Sequence, residues 1–308
     1  MTGRLLHPTT LPMRSCAYID AEISPLAELG AAYLDQTAGL PAAGHGLVLR
    51  TCHRMEVYSP AHEAGFPEGF RRRALRLRDP VAIHRRLAEI AAGVRSLIVG
   101  ESFVWHQVDA AAAVLPRRSV LVPAAREALD LARRLRAAHR LAAPLDYPQA
   151  ALLLLEQQEP VVDGLIIVGG GMLARSVATL AAHRYREVLM VTRSPRRLRR
   201  RLDGGQTPEI CRVHDAGSRL GAGAWHVVVA TTQLANTYRA AVLDLVADER
   251  CRGVVDLCAS PLQATGSPRY THMYHQEFLQ LIAKHNATVA DRADAVRRDI
   301  AEYYEESR

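Results

Sequence analysis

Lysine is almost absent. Of 39 basic residues only Lys284 is a lysine, and the other 38 are arginine. Together with the many alanines, this skew is what GC-rich codon usage produces, so by itself it says little about function. Paired cysteines are missing too: Cys16, Cys52, Cys211, Cys251 and Cys258 are odd in number and contain no CxxC. That excludes a disulfide framework and zinc-ligand spacing, so no metal is expected, and it fits a reducing cytoplasm. No run of about 20 uncharged apolar residues occurs, which excludes an apolar membrane-spanning helix. Met1 to Met13 carries an arginine and prolines but no apolar centre, so no secretory leader is expected. What remains is a 308-residue chain, 49% hydrophobic, with formal charge +7. Its length suggests two domains, and its composition a soluble protein with sizeable cores. The charge suits a polyanionic partner such as RNA, or simply a solvated basic surface.

The chain is organised around Leu49-Arg50-Thr51-Cys52-His53-Arg54-Met55-Glu56-Val57-Tyr58, directly after the apolar Gly46–Leu49. In an extended chain side chains alternate, so Cys52, Arg54, Glu56 and Tyr58 share one face while Met55 and Val57 point into a core. Arginines beside a thiol stabilise the thiolate, which is the nucleophile, and this makes Cys52 the candidate for covalent catalysis. A free cysteine is more often a small apolar core residue. Around this stretch the pattern predicts strands over 14–19, 46–50 and 55–58. Ser24-Pro25 opens a predicted helix to Leu34, and 37–45 is turn-like. This order reads as a small α+β domain.

From Asp79 the periodicity is helical, with Asp79 as cap, Pro80 first, and Val81, His84, Leu87, Ala88 and Ala91 on one face. His84 is then either a core histidine or an acid/base group facing an interior site. Glycine-bounded Gly93–Glu101 leads to a helix whose inner face holds Val104, Gln107, Val108 and Ala111. A third helix over 124–141 bears Arg126, Arg133, Arg134, Arg136 and Arg140, a solvated or a phosphate-binding face. A fourth is predicted over 148–157.

A second domain begins near Pro160. The strand Leu165–Val168 runs straight into Gly169-Gly170-Gly171-Met172-Leu173-Ala174, a GxGxxA turn opening a helix to His183, and Val188–Val191 follows as a second strand. Glycines there let backbone approach a pyrophosphate at the helix N-terminus. After the second strand an NAD site places Asp or Glu on the ribose, whereas this chain has Thr192-Arg193-Ser194, then Arg196 and Arg197. Arg193, with Arg197 nearby, suits a 2′-phosphate, so NADPH is the expected cofactor. Further strands are predicted over 209–214, 225–230 and 253–257, and a helix over 234–246. A polar helix over 287–308 carries the stripe Val289, Ala293, Val296 and Ile300, and docks on either domain or on a second copy. The expected class is thus two-domain α/β: an N-terminal α+β catalytic domain (1–150), a Rossmann-type NADP-binding domain (151–278) and a short C-terminal helix (279–308).

This combination resembles the glutamyl-tRNA reductase family along most of the chain. Thr51–Tyr58 looks like the family's TCNRxEIY motif, and Gly93–Glu101 with Gln107 is similar to its GLDSxxLGE…Q stretch. His84 falls at the family histidine, Asp256-Leu257 with Pro261 resembles a DLxxPR segment, and Arg269–Glu277 resembles the link into a long helix. The resemblance implies attack by Cys52 on the ester of glutamyl-tRNA, giving a thioester that hydride from NADPH reduces to glutamate-1-semialdehyde for tetrapyrrole synthesis. It implies that Arg54 holds the substrate carboxylate, that Thr51, Glu56, Ser96, Glu101 and Gln107 complete the pocket, and that His84 handles protons. It also implies glutamyl-tRNA and a downstream aminotransferase as partners, without a membrane, and a short form lacking most of the family's C-terminal dimerisation domain, which leaves the oligomeric state open. The chain departs from the family at His53, Arg95, Ser102-Phe103 and His106, and no family motif is recognisable around Asp20–Leu29. Two other readings follow: the same chemistry on another aminoacyl-tRNA or acyl thioester in specialised metabolism, and a non-catalytic regulator binding tRNA or nucleotide.

Overall fold

The computed structural model describes residues 11–20, 46–51, 53–61, 70, 74–200, 202, 208–219, 223–231, 234, 236–259, 261–262 and 269–306. The predicted helix from Ser24 to Leu34, the turn over 37–45 and Cys52 itself lie outside the described residues. The chain divides into two compact units, Met1–Pro144 with Lys284–Arg308, and Leu145–Ala283. The fold is α/β, as the sequence pattern implies.

In the first unit β1 (Ser15–Asp20), β2 (Leu47–Thr51), β3 (Arg54–Ser59) and β4 (Leu75–Leu77) form an antiparallel sheet in the order β2-β3-β1-β4. Thr51 pairs with Arg54 and Arg50 with Met55, so β2 and β3 run antiparallel as neighbours in the chain. The sequence did not announce β4, whose three residues carry no alternation long enough to read.

Helix α1 (Pro80–Ala91) starts where expected, with the Asp79 carboxylate accepting from Val81 N at 3.2 Å and Pro80 in the first turn. It ends because Gly93 takes φ +76°, a left-handed conformation that returns Val94 N to Glu89 O at 3.1 Å. A Cβ at Gly93 would stand 2.8 Å from Glu101 O, so only glycine fits there. Helices α2 (Phe103–Ala113) and α3 (Leu121–Ala138) complete this layer.

The arginine run of α3 is not one free face. Arg136 donates to Gly100 O at 2.7 Å and Glu101 O at 2.8 Å, and Arg133 pairs with Asp130 at 2.9 Å.

In the second unit α4 (Tyr147–Gln158) begins at a capping box, in which Asp146 and Gln149 each bond the other's backbone N–H. The chain then alternates β5 (Gly164–Val168), α5 (Met172–Ala181), β6 (Glu187–Val191), α6 (Pro195–Arg199), β7 (Glu209–Cys211), α7 (Ala216–Arg219), β8 (Trp225–Val229), α8 (Asn236–Ala247), β9 (Cys251–Asp256) and β10 (Tyr270–His272). All six strands are parallel in the order β10-β9-β8-β5-β6-β7. Strand order reverses between β5 and β8, the place where doubly wound sheets bind ligands.

Helix α9 (Gln276–Ala287) precedes α10 (Ala290–Glu305). The stripe of Val289, Ala293, Val296 and Ile300, extended by Tyr303 and Tyr304, lies in the same core as Leu87, Ile90, Leu131 and Leu135. The terminal helix is therefore part of the first unit. Its neighbours also fix the 93–101 loop: Asn286 accepts from Val99 N at 2.9 Å and donates to Leu97 O at 2.8 Å, and Arg297 donates to Val94 O at 2.5 Å. No helix among the described residues is long and apolar enough to cross a membrane.

His226 on β8 is buried, with its Nδ1 3.0 Å from the Tyr185 hydroxyl, and burial lowers its pKa from 6.5 to about 4. As pH falls through this window the unfolded chain takes up a proton and the folded one does not, so stability is lost between pH 6.5 and about 4, by up to about 3 kcal/mol. Urea unfolding across that range should show a steeper acid loss for the unmodified protein than for His226→Gln. Parallel curves would refute it.

Candidate functional site

Both faces of β3 are buried, so the face that Arg54, Glu56 and Tyr58 share is an interior one. Met55 and Val57 pack with Ala17, Ile19 and Phe70, as alternation requires. On the other face Glu56 is wholly buried, and it accepts from Arg86 Nε at 3.1 Å, from Arg86 Nη2 at 2.8 Å and from the Tyr58 hydroxyl at 2.5 Å. Arg86 also bonds Asp20 on β1 and lays its guanidinium 3.5 Å over the Tyr18 ring. Burial pulls the Arg86 pKa down, but Glu56 and Asp20 outweigh it and hold the guanidinium charged above its ordinary range. Two buried carboxylates thus share one buried cation.

At the end of β3, Arg54 donates Nη2 to Arg95 O, while Nη1 stands 3.7 Å from Glu56 Oε1 and is buried without a hydrogen bond. The Arg95 side chain turns away to Glu89 at 2.6 Å. Ser96 donates to Glu101 at 3.2 Å, and Glu101 accepts from the N–H groups of Phe103 at 2.5 Å and Val104 at 3.2 Å. Glu101 therefore caps α2. Burial raises its pKa, against the opposing pull of those N–H groups and of Arg54.

The structure thus brings together Arg54, Glu56, Ser96 and Glu101, with Thr51 across the ladder from Arg54, its hydroxyl accepting from His53 N at 3.1 Å. Gln107 is half-buried on α2. His84 has other neighbours: its Nδ1 is 2.8 Å from Pro80 O, its ring lies 6.0 Å from that of Tyr304, and Nε2 is buried without a hydrogen bond. Burial lowers the His84 pKa, leaving a neutral ring with a free Nε2. The other four cysteines are all buried. Burial raises the pKa of Cys16, and pushes Cys211 to about 11 and Cys251 to about 12. Such thiols are poor nucleophiles.

In the second unit Gly169 ends β5 with φ +142°, and a Cβ there would stand 2.4 Å from Ala230 O. Gly171 sits at the N-cap of α5 with nothing within 4 Å of where a Cβ would be, so the space before Met172, Leu173 and Ala174 is open. A cleft of about 310 Å³ runs from Gly169, Gly170 and Gly171 past Thr192 to Arg193, Ser194 and Arg197, and is lined further by Thr231, Leu234 and Tyr238. Among the described residues its lining includes no carboxylate, and the buried Tyr238 hydroxyl has no hydrogen-bond partner. Open helix N–H groups at one end and exposed guanidinium groups at the other suit an elongated ligand with phosphates at both positions.

No family model matches the chain. It is 30% identical over 272 residues to Protein nfe2 of Rhizobium meliloti, covering 82% of this chain and 85% of that one. It is 32% identical over 188 residues to a glutamyl-tRNA reductase of Thermus thermophilus, covering 56% of this chain and 48% of the reductase. To a glutamyl-tRNA reductase of Halobacterium salinarum it is 29% identical over 305 residues, covering 91% and 68%. The chain is thus related both to glutamyl-tRNA reductases and to Protein nfe2. It spans about half the length of the Thermus reductase.

In this relative of the glutamyl-tRNA reductases, the sequence reading missed Arg86, which holds the motif's glutamate, and Asp20, which shares that cation. The one signal available was that Arg86 falls on the inner side of α1, beside Leu87 and Ile90. Arg86→Met should leave Glu56 and Asp20 without their cation and destabilise the protein by about 3–5 kcal/mol in urea unfolding. A loss below about 1 kcal/mol would show that the carboxylates find other partners.

Proposed function

We propose that the protein is an NADPH-dependent oxidoreductase that reduces the acyl group of an aminoacyl-tRNA, glutamyl-tRNA first, to an aldehyde. The observation that carries this reading is Arg54: a buried guanidinium whose Nη1 makes no hydrogen bond, at the head of the strand that follows Thr51-Cys52-His53 in the sequence. Similarity to glutamyl-tRNA reductases supports it.

Chemically, the Cys52 thiolate adds to the ester carbonyl, the tRNA 3′-oxygen leaves with a proton, and a thioester remains on the enzyme. Arg54 Nη1 pairs with the side-chain carboxylate of the acyl group and orients the carbonyl, with Thr51 and Ser96 bordering the space. Glu101 keeps Ser96 and the start of α2 in place. His84, neutral and with Nε2 free, is the group suited to accept and return a proton. Gly169, Gly170 and Gly171, with the first residues of α5, would hold the pyrophosphate of NADPH, and Arg193 and Arg197, with Thr192 and Ser194, its 2′-phosphate. Bound there, NADPH supplies the hydride that turns a thioester into an aldehyde.

Glu56 already stands 3.7 Å from Arg54 Nη1 and competes for it. This favours, as a second reading, the same reaction on an acyl group without a side-chain carboxylate. Incubation with a mixed aminoacyl-tRNA pool and NADPH, with the aldehyde trapped and identified by mass, decides between them. Glutamate-1-semialdehyde is the expected product, a different aldehyde supports the second reading, and none from any aminoacyl-tRNA rejects both.

Arg193→Asp tests the cofactor separately. It should weaken NADPH binding by about 1.5–3 kcal/mol, the worth of a charge-assisted hydrogen bond, and leave NADH binding nearly unchanged in fluorescence titrations. Equal affinity of the unmodified protein for both cofactors would contradict it.

A further inference from the structure

Beyond the dinucleotide cleft the second unit has a second concavity of about 920 Å³, between α6 with its flanking residues and the end of β7 with the residues after it. Seven arginines line it, five from the Arg193–Arg200 segment and then Arg212 and Arg219, against one carboxylate, Asp215. Arg219 pairs with Glu209, and Arg199 donates to Ile210 O at 2.7 Å. Arg196, Arg200 and Arg212 are exposed, and their side chains have no hydrogen-bond or ion-pair partner among the described residues.

The proposed cofactor does not account for it. One 2′-phosphate carries at most about two charges and engages Arg193 and Arg197. Five arginines remain on the same wall. Apolar lining is limited to Pro195, Ile210 and Cys211, none of them an exposed large side chain, so the cleft offers nothing to insert into a bilayer. A row of phosphates along a chain is what a concave row of guanidinium groups matches.

We propose that this cleft binds the phosphodiester backbone of RNA, with Arg196, Arg200 and Arg212 as contacts additional to the cofactor site. The choice of tRNA as that RNA rests on the aminoacyl-tRNA reading; the cleft itself rests on its own geometry and charge. Binding here is independent of sequence, because no lining group is placed to read bases, and it is steeply salt-dependent.

The test uses the full chain, an unacylated tRNA transcript labelled with a fluorophore, and anisotropy over a salt series. In the triple variant Arg196→Ala, Arg200→Ala, Arg212→Ala, affinity should fall roughly 10-fold to 100-fold and the slope of log K against log salt should lessen by about 2–3. NADPH affinity and the thermal midpoint should not change, because none of the three side chains is bonded to another described residue. The corresponding triple lysine variant should keep most of the slope, since phosphate contacts are largely electrostatic. An unchanged affinity and slope in the alanine variant overturns the proposal. So does binding to anionic phosphatidylserine vesicles that the alanine variant loses while RNA binding persists. RNA binding lost in the alanine variant, with no aldehyde from any aminoacyl-tRNA, upholds the cleft and rejects the reaction. Aldehyde formation with RNA binding untouched rejects the cleft alone.

Discussion

The first unit depends on one buried cation. Arg86 meets Glu56 and Asp20 at once, and thereby ties α1 to both β3 and β1. Burying three charged groups is costly, and the arrangement persists because each carboxylate finds a partner and Tyr58 satisfies one further lone pair. The consequence reaches the candidate site. With Glu56 held by Arg86, the neighbouring Arg54 keeps one nitrogen without a hydrogen bond, and its other nitrogen reaches the 93–101 loop. That loop is in turn held by Arg136, Asn286 and Arg297 through backbone groups. The residues around position 52 are set by a polar frame, whose members come from α1, α3, α9 and α10.

The second unit relies on a backbone constraint instead. Gly169 has no Cβ, so β5 passes close to Ala230 and opens α5 toward free space. The phosphate-attracting features of this unit are then a helix N-terminus at one end and arginine side chains at the other. The proposed reaction needs this pair of anion sites for the cofactor, and the arginine-lined concavity extends the same electrostatic field toward a larger polyanion.

Local chemistry was readable. The Asp79-Pro80 start, the glycine turn between β5 and α5, the missing acid after β6 and the stripe of α10 all lie within short windows, and the structure places each as read. What the sequence did not reveal depends on contacts far apart in the chain. Arg86 lies 30 residues from Glu56 and 66 from Asp20, so no window contains the network. The second face of β3 read as the face of a candidate thiol flanked by charged side chains, and alternation alone could not show that those charges are buried with their partners. Glu101 read as a pocket residue, while its carboxylate caps α2, a role that Ser102 between them concealed. Strands β4 and β10 are three residues each and lie below what periodicity detects.

The central claim is that the acyl group passes through Cys52. The most direct measurement is the intact mass of the protein after mixing with glutamyl-tRNA in the absence of NADPH, followed by peptide mapping. The account predicts an increase equal to one glutamyl group, located on Cys52, labile to hydroxylamine and absent from Cys52→Ser. No adduct, or an adduct on another residue that persists in Cys52→Ser, would contradict it.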